Sequence, residues 1–299
     1  MPTTARRPFL GATALTVVLT AVSGCSSDSG QGDGDSRVLQ ALGTLADDNA
    51  ADEVTYLDAE KTRALSKGDE KRFSAVGQPG GSPLNAYEPG PWGQSLNVAQ
   101  IDTAVDTKSA GRWEGSFDAA AITASLKSNG YRQRGDDRTW TPADGKGVSL
   151  QVTKDEIAYS AHGDTAMAAV TPKQGASLAD KEEYRRAVGC LGDVYRADFL
   201  ALTATKPVRL SALGQQADSV AENTEVLCLV VKDEATADRA AAKLRAVVAD
   251  ESPKFDGTKV TVEKGDAPLV RAVVPDTAAQ RPGRLVRSDL ELWMVITDL

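Results

Sequence analysis

The chain has 299 residues, 41% hydrophobic and 25% charged, with a formal net charge of −8. This is an ordinary globular composition, long enough for one large domain or two small ones. Its acidity excludes binding along a nucleic-acid backbone and a polybasic attachment to lipid headgroups. Aromatic residues make up only 5%, so the cores must be built mainly from Ala, Val and Leu, which bury less area each.

Residues 1–8 are short and basic, carrying Arg6 and Arg7, and an apolar run from Phe9 to Val22 follows. The run ends in Val22-Ser23-Gly24-Cys25. A charged start, an apolar stretch too short to span a bilayer comfortably and small residues at its end predict a signal peptide over residues 1–24, cut between Gly24 and Cys25. The four closing residues resemble a bacterial lipobox. That resemblance implies that the Cys25 thiol receives a diacylglyceryl group and that its freed amino group can take a further acyl chain, such as palmitate. At about 0.8 kcal/mol per buried CH₂, two long chains hold a protein to a membrane almost permanently. The competing reading is an uncleaved membrane helix in which Cys25 is merely small; the shortness of the apolar run speaks against it. Ala5-Arg6-Arg7-Pro8-Phe9-Leu10 resembles the twin-arginine export motif, which implies export in the folded state. The general secretory route stays open, because basic leaders often contain adjacent arginines.

Ser26 to Ser36 is Ser, Gly, Asp and Gln throughout, so residues 25–36 read as a flexible tether. Asp33-Gly34-Asp35 lacks the Glu that a calcium loop would need further on. The loss of Arg6 and Arg7, with no acid beside them, leaves the processed chain two charges more negative.

Val38, Leu39, Leu42 and Leu45 are helically spaced and open a first domain over residues 37–172. Residues 53–57 read as a strand and 59–66 as a helix. Residues 77–94, rich in Gly and Pro, must form a loop; its Tyr87 and Trp92 are the candidates for a binding surface. Ser116-Phe117-Asp118 opens a helix that Gly130 closes, with Ile122 and Leu126 one turn apart. Strands are expected over 131–140, 148–152 and 157–160.

A second domain is expected over residues 173–299. Ser177-Leu178-Ala179-Asp180 carries a helix start, and Tyr184, Ala187, Val188, Leu191, Val194 and Tyr195 form an apolar stripe beyond it. Strands are expected at 199–203 and 208–213. Val226–Val231 is a continuous apolar run, as in a central strand. A helix after Asp233 follows with Ala237, Ala240, Ala241, Leu244, Val247 and Val248 at helical spacing, then strands at 259–263 and 269–274. Both halves place a helix before strands, a weak internal similarity. The expected fold class is α+β, two small domains each with helices on a mainly antiparallel sheet.

With Cys25 lipidated, Cys190 and Cys228 remain. A disulfide in an oxidising location and two separate buried thiols are both open, and export favours the disulfide.

Chemistry is sparse. The single His, His162, follows a strand and reads as a solvated turn residue. No Ser lies in a nucleophile elbow or has Lys three residues on, and no phosphate loop, dinucleotide fingerprint or zinc-protease motif occurs. Asp136-Asp137 reads as a hairpin turn and Glu182-Glu183 as a solvated helix face. No cofactor, metal ligand set or catalytic residue is assigned.

The lipobox, the Gly/Ser/Asp tether and an Ala-rich body carrying the 117–131 segment, Ser177–Asp180 and Cys190-Leu191-Gly192-Asp193-Val194-Tyr195 resemble membrane-anchored lipoproteins of high-GC Gram-positive bacteria. That group has no assigned activity, so the resemblance implies location only: the outer face of the cell membrane, with contact through the lipid. Two functions are expected in turn. One is a non-enzymatic module that binds a protein, peptide or small molecule. The other is a hydrolase of cell-wall or secreted substrates acting through carboxylates.

Overall fold

The structure, a computed structural model, describes residues 36–47, 52–80, 84, 90–135, 138–161 and 166–299. Arg6, Arg7, Gly24, Cys25, Tyr87, Asp136, Asp137 and His162 lie outside them. In chain order the elements are α1 (Arg37–Leu42), β1 (Glu53–Asp58), α2 (Ala59–Ser66), α3 (Glu70–Phe73), β2 (Ile101–Thr107), β3 (Ala110–Gly115), α4 (Ala119–Ser128), β4 (Tyr131–Arg134), β5 (Thr139–Pro142), β6 (Ser149–Val152) and β7 (Glu156–Ser160). Then come α5 (Glu182–Leu191), β8 (Arg196–Ala201), β9 (Val208–Ser219), β10 (Glu222–Val231), α6 (Glu234–Asp250), β11 (Lys259–Glu263), β12 (Leu269–Pro275) and α7 (Glu291–Met294). Single 3₁₀ turns fill several connections.

The twelve strands among the described residues form one antiparallel sheet in the order β11-β12-β10-β9-β8-β1-β2-β3-β7-β6-β5-β4. The fold is therefore α+β. The boundary expected near residue 172 separates two contiguous runs of strands, and the runs meet at β1 and β8, which pair from Glu53↔Leu200 to Leu57↔Arg196.

The weak internal similarity acquires a definite form. In the first half β1, β2 and β3 lie side by side, α4 follows, and β4–β7 return so that β7 sits beside β3. In the second half β8, β9 and β10 lie side by side, α6 follows, and β11–β12 return so that β12 sits beside β10. A helix, α1 or α5, precedes each run.

Period-two alternation along the strands decides what each face buries. On the first face Val54, Tyr56, Val105, Phe199, Leu210, Val226 and Cys228 meet Val38 and Leu42 of α1 and Tyr184, Ala187, Val188 and Leu191 of α5 in one cluster that runs across both halves. On the second face α4 inserts Ile122 and Leu126 against Trp113, Leu150 and Ile157, and α6 inserts Ala237, Ala240, Ala241 and Leu244 against Leu227, Leu229 and Val270. Asp118 caps α4 by accepting from the Ala121 amide at 2.9 Å, and Asp233 caps α6 through the Thr236 amide at 2.7 Å. Gly130 follows α4 at φ +82, a left-handed conformation that favours glycine.

Cys190 on α5 and Cys228 on β10 form a disulfide with Cα atoms 6.2 Å apart. It ties the helix covering the first face to the centre of the second half's strands. Residues 178–180 form a 3₁₀ turn rather than the opening of the helix, so the expected long helix is confined to Glu182–Leu191. Val194 and Tyr195 of the predicted stripe lie beyond it, yet both are buried.

Candidate functional site

One register row crosses the second face at the seam. It reads Tyr159 (β7), Gly111 (β3), Asp106 (β2), Thr55 (β1), Asp198 (β8), Leu213 (β9), Leu227 (β10), Ala272 (β12), each residue directly opposite the next. Its first three members hold a buried carboxyl and the tyrosine bonded to it. Asp106 is 2% exposed. Its Oδ1 accepts from the Tyr159 hydroxyl at 2.6 Å and from the Trp113 indole N–H at 2.7 Å. Its Oδ2 is buried with no partner. Burial pushes the Asp106 carboxyl up to about 7, and the two hydrogen bonds and the Arg196 charge offset this only in part. The Tyr159 hydroxyl is raised in turn by burial and by the neighbouring carboxylate.

Gly111 makes this arrangement possible. A Cβ there would collide with Asp106 Oδ1 and stand 2.6 Å from Tyr159 Cε1. Gly111→Ala is expected to break the Tyr159–Asp106 bond and cost on the order of 1–3 kcal/mol, as overpacking does. Urea unfolding of the variant measures the loss.

Arg196, on the adjoining row, is held by Asp198 through two parallel bonds of 2.8 Å. Its remaining nitrogen donates to the carbonyls of Val76 at 3.2 Å and Gln78 at 2.8 Å. Thr55 donates to Asp198 at 3.0 Å. The segment leaving α3 is thereby clamped over the middle of the second face, and Gly80 comes to lie against Thr55.

A second buried network lies further along the same face. Glu225 accepts from Gln215 Nε2 at 2.9 Å and from the Arg284 amide at 2.9 Å. Asp276 accepts from Arg284 Nε at 2.7 Å and from Asn223 Nδ2 at 2.6 Å. Arg284 also reaches Asp289 at 2.7 Å, and Tyr195 donates to Asn223 at 2.8 Å. Burial raises both Glu225 and Asp276, and like-charge repulsion from Asp276 raises Glu225 further. Nearly every polar atom here has a partner, so the network closes the 276–289 segment onto the sheet.

A cavity of about 400 Å³ lies beside the start of α5, lined by Lys181, Glu183, Tyr184, Ala201, Leu202, Ala204, Arg209 and Leu210. Its size suits a small ligand. Its wall is mixed: Ala201, Leu202, Ala204 and Leu210 supply apolar surface, and Lys181, Glu183 and Arg209 bring charges of both signs. Lys181 is bonded to Asp47, and Arg209 stands 3.9 Å from Glu183.

The residues singled out from sequence are not gathered at one place. Trp92, expected at a surface groove, is 5% exposed and packs into the cluster around Trp113 and Ile122. The carbonyl of its neighbour Pro91 accepts from Ser125 of α4 and from Asn129 at the helix's C-cap, which fixes the loop there. Of the Glu182-Glu183 pair, Glu183 lines the cavity. Asp106, Arg196, Glu225 and Arg284 escape a sequence reading. For Glu225 a signal exists: it shares the parity of Leu227, Leu229 and Val231, which face α6. Among the described residues, no group of three or more His, Cys, Asp or Glu could hold a metal ion. No protein-family model, curated protein or solved structure matches the chain.

Proposed function

We propose that the chain is an exported cell-envelope lipoprotein, held at the outer face of the membrane by lipid on Cys25 and acting as a binding module rather than an enzyme. The observation that carries the location is the Cys190–Cys228 disulfide in the core, since such bridges persist in oxidising compartments. It agrees with the lipobox and with the tether after it. No described helix is long and apolar enough to cross a membrane, and the acidic composition gives no headgroup-binding surface, so the attachment falls to the lipid.

Binding is favoured over hydrolysis by where the carboxylates lie. Asp106, Glu225 and Asp276, the carboxyl groups raised by burial, are at most 9% exposed, whereas the cavity by α5 carries the single carboxylate Glu183. An acid–base pair needs two groups within reach of one substrate. The cavity's wall, half apolar and half polar with charges of both signs, suits a small polar molecule or a peptide side chain.

Cys25→Ala is expected to move the protein from the membrane fraction to the soluble one. Fractionation followed by mass measurement of the amino-terminal peptide checks this, and a full-length variant that stays membrane-bound overturns the anchoring.

A further inference from the structure

The row of paired residues across the seam compares the two halves directly. Counting outward from the Thr55–Asp198 pair, the first half places Asp106, Gly111 and Tyr159 where the second places Leu213, Leu227 and Ala272. The second half fills these positions with apolar side chains, as α6 packing favours. The sheet therefore has no architectural need for a carboxylate at Asp106. Burying one with an unpaired oxygen is costly, and more so once it is ionised.

Its surroundings determine what ionisation does. From β7 Tyr159 and from β3 Trp113 both donate to Oδ1. From β1 comes the neutral Thr55, and from β8 the Arg196–Asp198 pair. Arg196 is the cation whose charge reaches Asp106, and Arg196 also clamps the carbonyls of Val76 and Gln78.

We propose that Asp106 is a proton-controlled latch on the segment 74–80. Protonated, it leaves Arg196 to Asp198 and to the two carbonyls, and the segment stays down. Ionised, its unpaired oxygen draws water or the guanidinium, the clamp on Val76 and Gln78 weakens, and the segment opens more often. Only the proton on Oδ2 moves, to and from solvent. The direction follows from linkage: a carboxyl whose folded pKa is raised holds its proton in the closed form, and closure is lost as pH rises through that value.

Hydrogen exchange of the amides in 74–80, corrected for the intrinsic effect of pH, is the test. In the unaltered protein the corrected rate is expected to rise roughly ten-fold between about pH 5.5 and pH 8.5. In Asp106→Asn, whose amide oxygen still accepts from Tyr159 and Trp113, that rise should vanish. Tyr159→Phe removes a bond to the carboxyl that lowers its pKa, so the midpoint should move to higher pH, a shift that a merely structural role does not produce. Burial raises two further carboxyls, Glu225 and Asp276, and Glu225, pushed up to about 8, titrates in this range. A rise that survives in Asp106→Asn but vanishes in Glu225→Gln overturns the latch. So do equal corrected rates at the two pH values, or an unmoved midpoint in Tyr159→Phe.

Discussion

Reduction of the Cys190–Cys228 bridge, or its replacement by two alanines, should lower stability by about 4 kcal/mol, the chain-entropy estimate for a loop of this size. The bridge spans 38 residues of sequence, including all of β8 and β9. Without it the unfolded chain regains that loop's freedom, while the folded state keeps most of its contacts. Α5 still has Tyr184, Ala187, Val188 and Leu191 in the first-face cluster, and Arg271 Nε still donates to the Cys190 carbonyl at 2.9 Å. The expected result is a folded protein whose Tm falls by roughly 10 °C. Calorimetry with and without reductant measures it; an unchanged Tm in the double alanine variant refutes the estimate.

Arg284→Met should be the most damaging single substitution on the second face. The side chain is 3% exposed and binds Asp276 and Asp289, both at 2.7 Å. Methionine retains part of the volume against Phe255 but leaves Asp276 with Asn223 as its remaining donor. Breaking a buried ion pair from one side costs about 3–5 kcal/mol. The loss should grow with pH. Without the guanidinium the Asp276 carboxyl is raised still further when folded, so it stays protonated and tolerated at acid pH and becomes an uncompensated charge above its shifted value. Urea unfolding at acid and alkaline pH tests both size and slope, and Arg284→Met combined with Asp276→Asn should recover much of the alkaline loss.

Much of the fold is legible in the residues. The strand over 53–58, the helices of 59–66, 119–128 and 234–250, and the strands at 259–263 and 269–275 all follow from periodicity and capping. β2 and β3 do not, and the reason is physical. Ile101-Asp102-Thr103-Ala104-Val105-Asp106-Thr107 carries an acid at a buried position and small residues at others, because its inward side chains complete a polar row instead of an apolar stripe. β9 runs to Ser219, six residues past the apolar segment, because Gln215 is 1% exposed and satisfied by hydrogen bonds. Residues 131–142 fold as two paired strands, β4 and β5, on either side of the Asp136-Asp137 position that the sequence reads as a hairpin turn, with the second strand running past Trp140 to Pro142. Position in the chain also hides the seam, since β1 and β8 lie well over a hundred residues apart and nothing local marks them as partners. The candidate cavity is hidden for a different cause: its lining lies close in sequence, between Lys181 and Leu210, and only the packing of α5 on the sheet makes a recess of it.

The pairing of β1 with β8 has a further consequence for solubility. Taken singly, either run of strands would present β1 or β8 as an open edge, and open edges recruit strands from other chains. The pairing conceals both. The sheet's outer strands are then β4 and β11. They carry Arg132, Gln133 and Arg134 on one side and Lys259 and Glu263 on the other, all exposed. Charged, short strands of this kind discourage edge-to-edge aggregation. A cut between β7 and α5 would undo that protection, baring strands whose side chains, Val54, Tyr56, Ala197 and Phe199 among them, belong to the interior.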